Sequence, residues 1–454
     1  MKTSSLDSYI FVEPTSLEEV TNIVQNAQMY PSPCGPCGNI LSPSIRRLCV
    51  NNGGTTISTA KMNKIYGLKI VSVSGKNSTL TCIDCEPGVT LRELQQYAHK
   101  HNLELPISAE IGLETIGDTC FVVTTCSSIG EPPVEGMGLE DVTSMIWSVQ
   151  IVEENGQVKK YSMYNDDGAT TNDSFHRLLD SYRSTGIAVR MLVATRSQIP
   201  AKTRANLNHI DWRTRDDREV WSSKVFKIWS DAVKLNGNII CTVSLRSNLI
   251  LLEERLIGSN NCSPFSCLLA PAYKRVKKCI MQRGSTFPKI FKHLNGLSFQ
   301  QPARSPGNHY AIDVPNGNSK LSLSYYGFST KIFHEVFVEA LKFTAEYEKE
   351  HNYAPVAFAI YFVRLSGNRT AGPYCILDGS SHQFSFNPIT NKPNDPKWVE
   401  FCSQFSSFAK EHGGRCSLNQ TMCLENDTSY GSTALSVTPS ERLFATPWLQ
   451  QFSS

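Results

Sequence analysis

The sequence predicts an α+β fold in two parts, and three observations carry that expectation. The first is length: 454 residues is long for one hydrophobic core and comfortable for two. The second is the grain of residues 1–200, where short β-branched strands alternate with amphipathic helices and glycine-rich loops. The third is a change of character near residue 200. Beyond it, alternating strands mix with long helices, the pattern of an antiparallel sheet with helices on one face.

The elements read in order. Residues 10–13, IFVE, make a short strand that Pro14 ends. Ser16 caps a helix over 16–28; Glu18 and Glu19 lie in its first turn, where the helix dipole favours acids, and Val20, Ile23 and Val24 form its buried stripe. A Pro/Gly/Cys-rich loop follows at 31–39, then a turn and strand in NNGGTTIST. Strands over 69–73 and 78–84 lead past Gly88 to a helix over 90–101, where Thr90 and Glu93 form a capping box and Leu91, Leu94 and Tyr97 face inward. Residues 108–138 are a loop rich in Gly, Thr and Ser. Residues 144–162 read as a hairpin with Asn155-Gly156 as a two-residue turn, and a helix over 174–184 and a strand over 187–196 close the first part. In the second part, strands over 238–245, 320–326 and 355–365 mix with helices over 329–351 and 396–412.

Composition excludes several classes. The chain is 40% hydrophobic and 19% charged with a net charge of +3, which is globular and gives no reason to expect a nucleic-acid partner. No apolar run approaches the roughly 18 residues a membrane span needs, so no membrane partner is expected. MKTSSLDSYIFVEP has no secretory apolar core, so a cytoplasmic location is expected, with the 15 cysteines mostly reduced and the sequons at Asn77, Asn368 and Asn419 unused. The histidines show no metal-ligand spacing, and no metal is expected. Cys34-Gly35-Pro36-Cys37 has the spacing of a redox dithiol. That chemistry needs the first thiol at a helix N-terminus, whereas here a helix precedes the motif and Pro43 follows, so two inert thiols in a loop are expected. Cys82 and Cys85 lie on an expected strand, where i and i+3 point to opposite faces.

Seven short segments then stand in a telling order: Val12 to Val20, Gly53 to Ile65, Glu86 to Leu94, His101 to Pro106, Glu114 to Gly117, Val149 to Val158 and Ser184 to Val189. Together they resemble the FAD-binding (PCMH-type) domain of the vanillyl-alcohol oxidase and p-cresol methylhydroxylase superfamily, nearest in outline to its sugar-lactone and sterol oxidases. The resemblance implies a two-subdomain FAD-binding domain over 1–200, an antiparallel-sheet substrate (cap) domain over 201–411, and a segment 412–454 that returns to the first domain.

It also implies a cofactor, FAD, and a place for it. A pyrophosphate needs backbone N–H donors at close approach, which glycine permits. The two loops that supply them in the family correspond here to Gly35, Pro36, Cys37, Gly38 and Asn39, and to Thr115, Ile116, Gly117 and Asp118 continuing to Thr125, Ser127 and Ser128; Gly186 and Ile187 would lie along the cofactor. The departures matter as much. Gly38 replaces the usual flavin-linking His, and Leu113 stands near the place of the second covalent anchor, so a non-covalent flavin is expected. Pro36 has no N–H to give, and Asp118 replaces a Gly that approaches the cofactor. A carboxylate there should repel a pyrophosphate unless it turns away or meets a cation.

In the second half, residues 362–368 resemble the family's E-V-R-F strand, with Arg364 kept and Phe362 in place of Glu. Residues 412–420 resemble its G-G-R-P-H-W-x-K loop, with Gly413, Gly414 and Arg415 matching and Ser417, Leu418 and Gln420 in place of His, Trp and Lys. The resemblance implies an oxidase with a small-molecule substrate and molecular oxygen as acceptor. Phe362 and Leu418 suggest an apolar, secondary-metabolite-like substrate. Arg364 is the expected stabiliser of negative charge, with Gln420 and Tyr326 as further catalytic candidates and Tyr325 and His309 as candidates by location. A redox-neutral cyclase or isomerase on the same fold is the alternative, motivated by Pro36, Gly38 and Asp118; a non-catalytic binding protein is the third reading.

Overall fold

The computed structural model describes residues 10–39, 54–73, 78–107, 114–121, 128–133, 137, 142–164, 173–179, 185–258, 298–303, 322–364 and 382–416. The first part runs β1 (Ile10–Val12), α1 (Leu17–Gln25), β2 (Cys34–Cys37), β3 (Thr55–Ser58), β4 (Ile65–Val73), β5 (Ser78–Cys85), α2 (Leu91–Lys100) and β6 (Leu103–Glu104). It continues with α3 (Ile116–Thr119), β7 (Ile146–Val152), β8 (Val158–Ser162), α4 (Asp173–Leu179), β9 (Ile187–Ala194) and β10 (Arg196–Ser197). These strands make two separate sheets and a short pair. The small parallel sheet has the order β1-β3-β2, the five-stranded sheet has the order β4-β5-β9-β7-β8, and β10 pairs with β6.

Local signals explain most of this. The Ser16 hydroxyl accepts the Glu19 N–H at the start of α1, and Val20, Ile23 and Val24 are its buried residues. The Thr90–Glu93 capping box is made in both directions. The 31–39 loop is corrected: the Cys-Gly-Pro-Cys stretch is strand β2, held in parallel register to β3 with Gly35 opposite Thr56 and Cys37 opposite Ser58. The hairpin turn is also longer than the expected two residues. Gly156 N donates to Glu153 O (2.8 Å), closing a four-residue turn in which Gly156 takes φ 77°, a conformation that favours glycine.

The second part runs β11 (Ala201–His209), α5 (Arg215–Lys234), β12 (Asn238–Ser244), β13 (Leu249–Ile257), β14 (Ser298–Ala303), β15 (Ser322–Leu323), β16 (Tyr326–Ser329), α6 (Phe333–His351), β17 (Ala357–Val363), β18 (Gln383–Thr390), α7 (Pro396–Glu411) and β19 (Arg415–Cys416). Its nine strands form one antiparallel sheet of order β14-β11-β13-β12-β17-β18-β16-β19, with β15 also on β18. β9 belongs to the five-stranded sheet and β11 to the nine-stranded one, so the two halves meet near residue 200. The chain is still in the larger sheet at Cys416, and 417–454 lie outside the described residues.

The two faces of the larger sheet differ chemically. On one, Ile239, Cys241, Val243, Phe358, Ile360, Phe362, Phe384 and Phe386 join a single apolar core with α5, α6 and α7. The other carries Ile240, Ala357, Ala359, Tyr361 and Ile389, and strand register adds Thr242, Ser244, Ser385 and Asn387, all buried. Helix α5 was not read from the sequence, although Trp221, Val225, Trp229 and Ala232 give it a buried stripe at helical spacing.

Phe337 of α6 is fully buried against this core, in edge contact with Phe386. Phe337→Ala should cost about 3–5 kcal/mol of stability through the lost transfer energy and the cavity left behind. Denaturant unfolding checks this; a loss below about 1 kcal/mol would contradict the packing described.

Candidate functional site

The site is built where the end of β2 meets the turn into α3. Parallel pairing with β3 fixes β2, and two side chains of the neighbouring segment hold its exit: Ser58 Oγ donates to Gly38 O (2.9 Å) and Thr59 Oγ1 donates to Cys37 O (3.1 Å). These bonds set the position of the exit, and its next two N–H groups point at Asp118. Gly38 N donates to Asp118 Oδ1 (2.6 Å) and Asn39 N donates to Asp118 Oδ2 (3.0 Å). Thr115, the cap residue of α3, completes the arrangement: its hydroxyl donates to Asp118 Oδ2 (3.0 Å) and accepts the Asp118 N–H (3.2 Å). Asp118 is 1% exposed.

The second loop is engaged differently. Ile116 N donates to Val89 O and Gly117 N to Pro87 O, each at 2.8 Å. A side chain at Gly117 would press on Pro87, so glycine is needed there for this packing. A side chain at Gly38 would collide with Thr115 Oγ1 and the Asp118 carboxylate. Relative to the family pattern, bulk has moved from position 38 to position 118, and the two changes fit each other. Of the expected phosphate donors, Gly38 and Asn39 offer the two-N–H geometry an anion requires, and Asp118 is the anion that fills it. Ile116 and Gly117 spend their N–H groups inside the fold, which corrects the expectation for those two. Gly186, with φ 153°, packs where a side chain would strike Val152 O, and Ile187 is buried opposite Val152 in the strand pairing. Thr125, Ser127, Gln420, Leu113, Leu418 and His309 lie outside the described residues.

The joint between the halves centres on residues 128–131. Arg364, 6% exposed at the end of β17, donates from Nη2 to Ser128 O (3.1 Å). Ser128 Oγ donates to Pro106 O (2.6 Å), and Gly130 N donates to Asn236 O (2.7 Å) beyond α5. Arg196 of β10 donates from Nη1 to Glu131 O (2.7 Å) and from Nε to the buried Glu104 carboxylate (2.8 Å). Burial lowers the Arg196 pKa from its usual value, with Glu104 opposing and Arg364 reinforcing that shift. His382, stacked edge-on to Trp229, is held below the ordinary histidine range by burial and then by Arg364. Arg196, Glu104 and Asn236 were missed from sequence; the one signal was an acid inside the apolar LELP segment.

Two other expectations change. Tyr326 is fully buried, and its hydroxyl contacts Cys402 O (3.1 Å) and Ser406 Oγ (3.2 Å) of α7, so it packs in the core on the helix side of the sheet. Phe362 lies on the helix side of the sheet, stacked on Trp229 at 4.9 Å, so it does not speak for an apolar substrate. Tyr325, by contrast, stacks with Tyr361 on the other face. Among the described residues, no group of three or more His, Cys, Asp and Glu could hold a metal, and no helix is long and apolar enough to cross a membrane.

Burial pushes the Cys34 thiol up to about 11 and the Cys82 thiol up to about 12. Neither forms much thiolate near neutrality. In the native protein at pH 8 the peptide carrying Cys34 should stay unalkylated by iodoacetamide and become modified only after unfolding. Rapid native labelling, read by mass spectrometry, would contradict the inert reading.

Residues 9–120 match the family described as FAD binding domain. No curated protein sequence matches the chain at a significant level. Among solved structures, cholesterol oxidase from Brevibacterium sterolicum is similar with a TM-score of 0.68 at 11% identity, over 98% of this chain and 94% of that one. Xylooligosaccharide oxidase from Myceliophthora thermophila C1, solved with xylobiose, matches with a TM-score of 0.62 at 14% identity, over 98% and 95%. The BBE-like 1 protein of Physcomitrella patens matches with a TM-score of 0.62 at 14% identity, over 93% and 86%. The shared fold spans nearly the whole chain, and the family match covers its N-terminal segment, so the chain has the fold of these flavoprotein oxidases and carries an FAD binding domain match over residues 9–120.

Proposed function

We propose that the chain is an FAD-dependent oxidoreductase, an oxidase that passes electrons from a small-molecule alcohol or C–H bond to molecular oxygen, with the flavin held non-covalently. The observation that carries this reading is the contact of Arg364 with Ser128 O, which sets a cationic side chain of the larger half against the end of the second flavin-type loop. The matched N-terminal segment and the likeness in fold to cholesterol oxidase and xylooligosaccharide oxidase support it. The closeness of Thr115 and Asp118 to Gly38 leaves no room for a linking side chain there, which supports a flavin without that bond.

Bound FAD would supply the hydride acceptance. The Gly38 and Asn39 N–H groups would hold its pyrophosphate. Arg364, nine-tenths buried, would stabilise negative charge developing at the site more strongly than it could in water. His382 stays neutral near pH 7, so it contributes a hydrogen-bonding group there and no second positive charge.

The substrate side of the larger sheet is, in this reading, the face away from the helices. Its mixture of Ile240, Ala357, Ala359 and Ile389 with Thr242, Ser244, Tyr361, Ser385 and Asn387 suits an alcohol with an apolar body and several hydrogen-bonding groups. The apolar, secondary-metabolite-like substrate suggested by sequence keeps only Leu418 as support. A redox-neutral cyclase or isomerase is the second reading, favoured by the Asp118 carboxylate on the Gly38 and Asn39 donors.

The purified protein, or apoprotein given FAD, should be yellow and release all its flavin on acid precipitation. Arg364→Gln should keep that flavin and lose roughly 10²-fold or more in the rate of flavin reduction across a panel of alcohols. Flavin that remains with the precipitate would end the non-covalent claim. A protein that takes up no FAD would end the oxidase reading in favour of the redox-neutral one.

A further inference from the structure

We infer that Asp118 is a built-in occupant of the pyrophosphate cradle, and that a dinucleotide cofactor binds by displacing it. The inference rests on the flavin reading above and goes beyond it by assigning this chain an internal competitor for its own cofactor.

The geometry has three parts. Asp118 Oδ1 and Oδ2 take the N–H groups of Gly38 (2.6 Å) and Asn39 (3.0 Å), two adjacent backbone donors of the kind that bind an anion. The carboxylate is buried and also receives the Thr115 hydroxyl at 3.0 Å, so it is settled in the cradle and not passing across it. Gly38 leaves the space that the carboxylate fills, since a side chain there would meet both Thr115 and Asp118. One pair of N–H groups cannot serve two anions at full strength, and two anions at that distance repel. An incoming pyrophosphate must therefore turn Asp118 out or accept weaker donors.

Two consequences pull in opposite directions, and their combination separates this role from that of a plain structural brace. Without cofactor, Asp118 pairs the buried Gly38 N–H and the partly buried Asn39 N–H, so it stabilises the empty protein. With cofactor, it competes.

The test uses the full chain as wild type, Asp118→Gly and Asp118→Asn, the second keeping the shape of the side chain without its charge. Circular dichroism establishes folding. Apoprotein is then titrated with FAD by fluorescence, and thermal unfolding is followed with and without FAD and with and without inorganic pyrophosphate. Expected are a lower melting temperature for both variants without ligand, FAD dissociation constants at least about tenfold lower than wild type for Asp118→Gly and several-fold lower for Asp118→Asn, and a pyrophosphate-induced rise in melting temperature larger in Asp118→Gly than in wild type. Folded variants that bind FAD no better than a wild type which does bind it would overturn the inference and leave the flavin reading standing. Loss of folding in both variants would make Asp118 a brace alone. Absence of FAD binding in all three proteins would overturn the inference and the flavin reading together.

Discussion

A buried carboxylate must be paired, and the way Asp118 meets that demand organises the first half of the molecule. Its two oxygens tie the exit of β2 to the start of α3, nearly eighty residues further along the chain, by two backbone donors and one hydroxyl. The small parallel sheet supplies one side of this joint and the Pro87–Val89 segment, which receives the N–H groups of Gly117 and Ile116, supplies the other. Each hydrogen bond to an ionised group contributes on the order of 1.5–3 kcal/mol, more than a neutral bond would. The cradle is thus shaped in advance by the protein's own anion. That one constraint accounts for a glycine at 38, a cap at 115 and an acid at 118, which separately look like erosion of a family pattern.

The second organising feature is the hold on residues 128–131. Arg364 and the carbonyl of Asn236 reach it from the larger half, while Arg196 and the carbonyl of Pro106 reach it from the smaller one. Four contacts from two directions fix the end of a loop that, in the functional reading, runs along the cofactor. Arginine suits this duty because its planar fork can satisfy a carbonyl and a carboxylate at once, as Arg196 does with Glu131 O and Glu104. The charge set is consequently cationic at its centre, with Glu104 as the buried counter-ion and His382 kept neutral beside it.

Much of the fold could be read from the sequence where the signal was local. The Ser16 cap, the Thr90–Glu93 box and the apolar stripes of α1 and α2 all lie within four residues of their partners, and they formed as expected. The long helices α6 and α7 were legible beyond residue 200 because their apolar residues recur at helical spacing over several turns. Long-range pairing was not legible. The Cys-Gly-Pro-Cys stretch looked like a loop because proline and glycine mark turns, yet parallel pairing with β3 makes it a strand. Phe362 and Tyr326 looked like site residues by motif and by location. Their facing depends on which side of the sheet the helices cover, and a one-residue change of parity reverses that. The acid at 118 was recognised as out of place. Its partner was hidden because nothing in a local window links position 118 to the backbone of 38 and 39.

The account turns on where a pyrophosphate goes when one is present. A crystal structure of the full chain grown with excess FAD measures this directly. The account predicts pyrophosphate oxygens within hydrogen-bond distance of Gly38 N and Asn39 N, with the Asp118 carboxylate rotated away from both. A bound flavin whose pyrophosphate lies elsewhere while Asp118 keeps its contacts with Gly38 and Asn39 would contradict it.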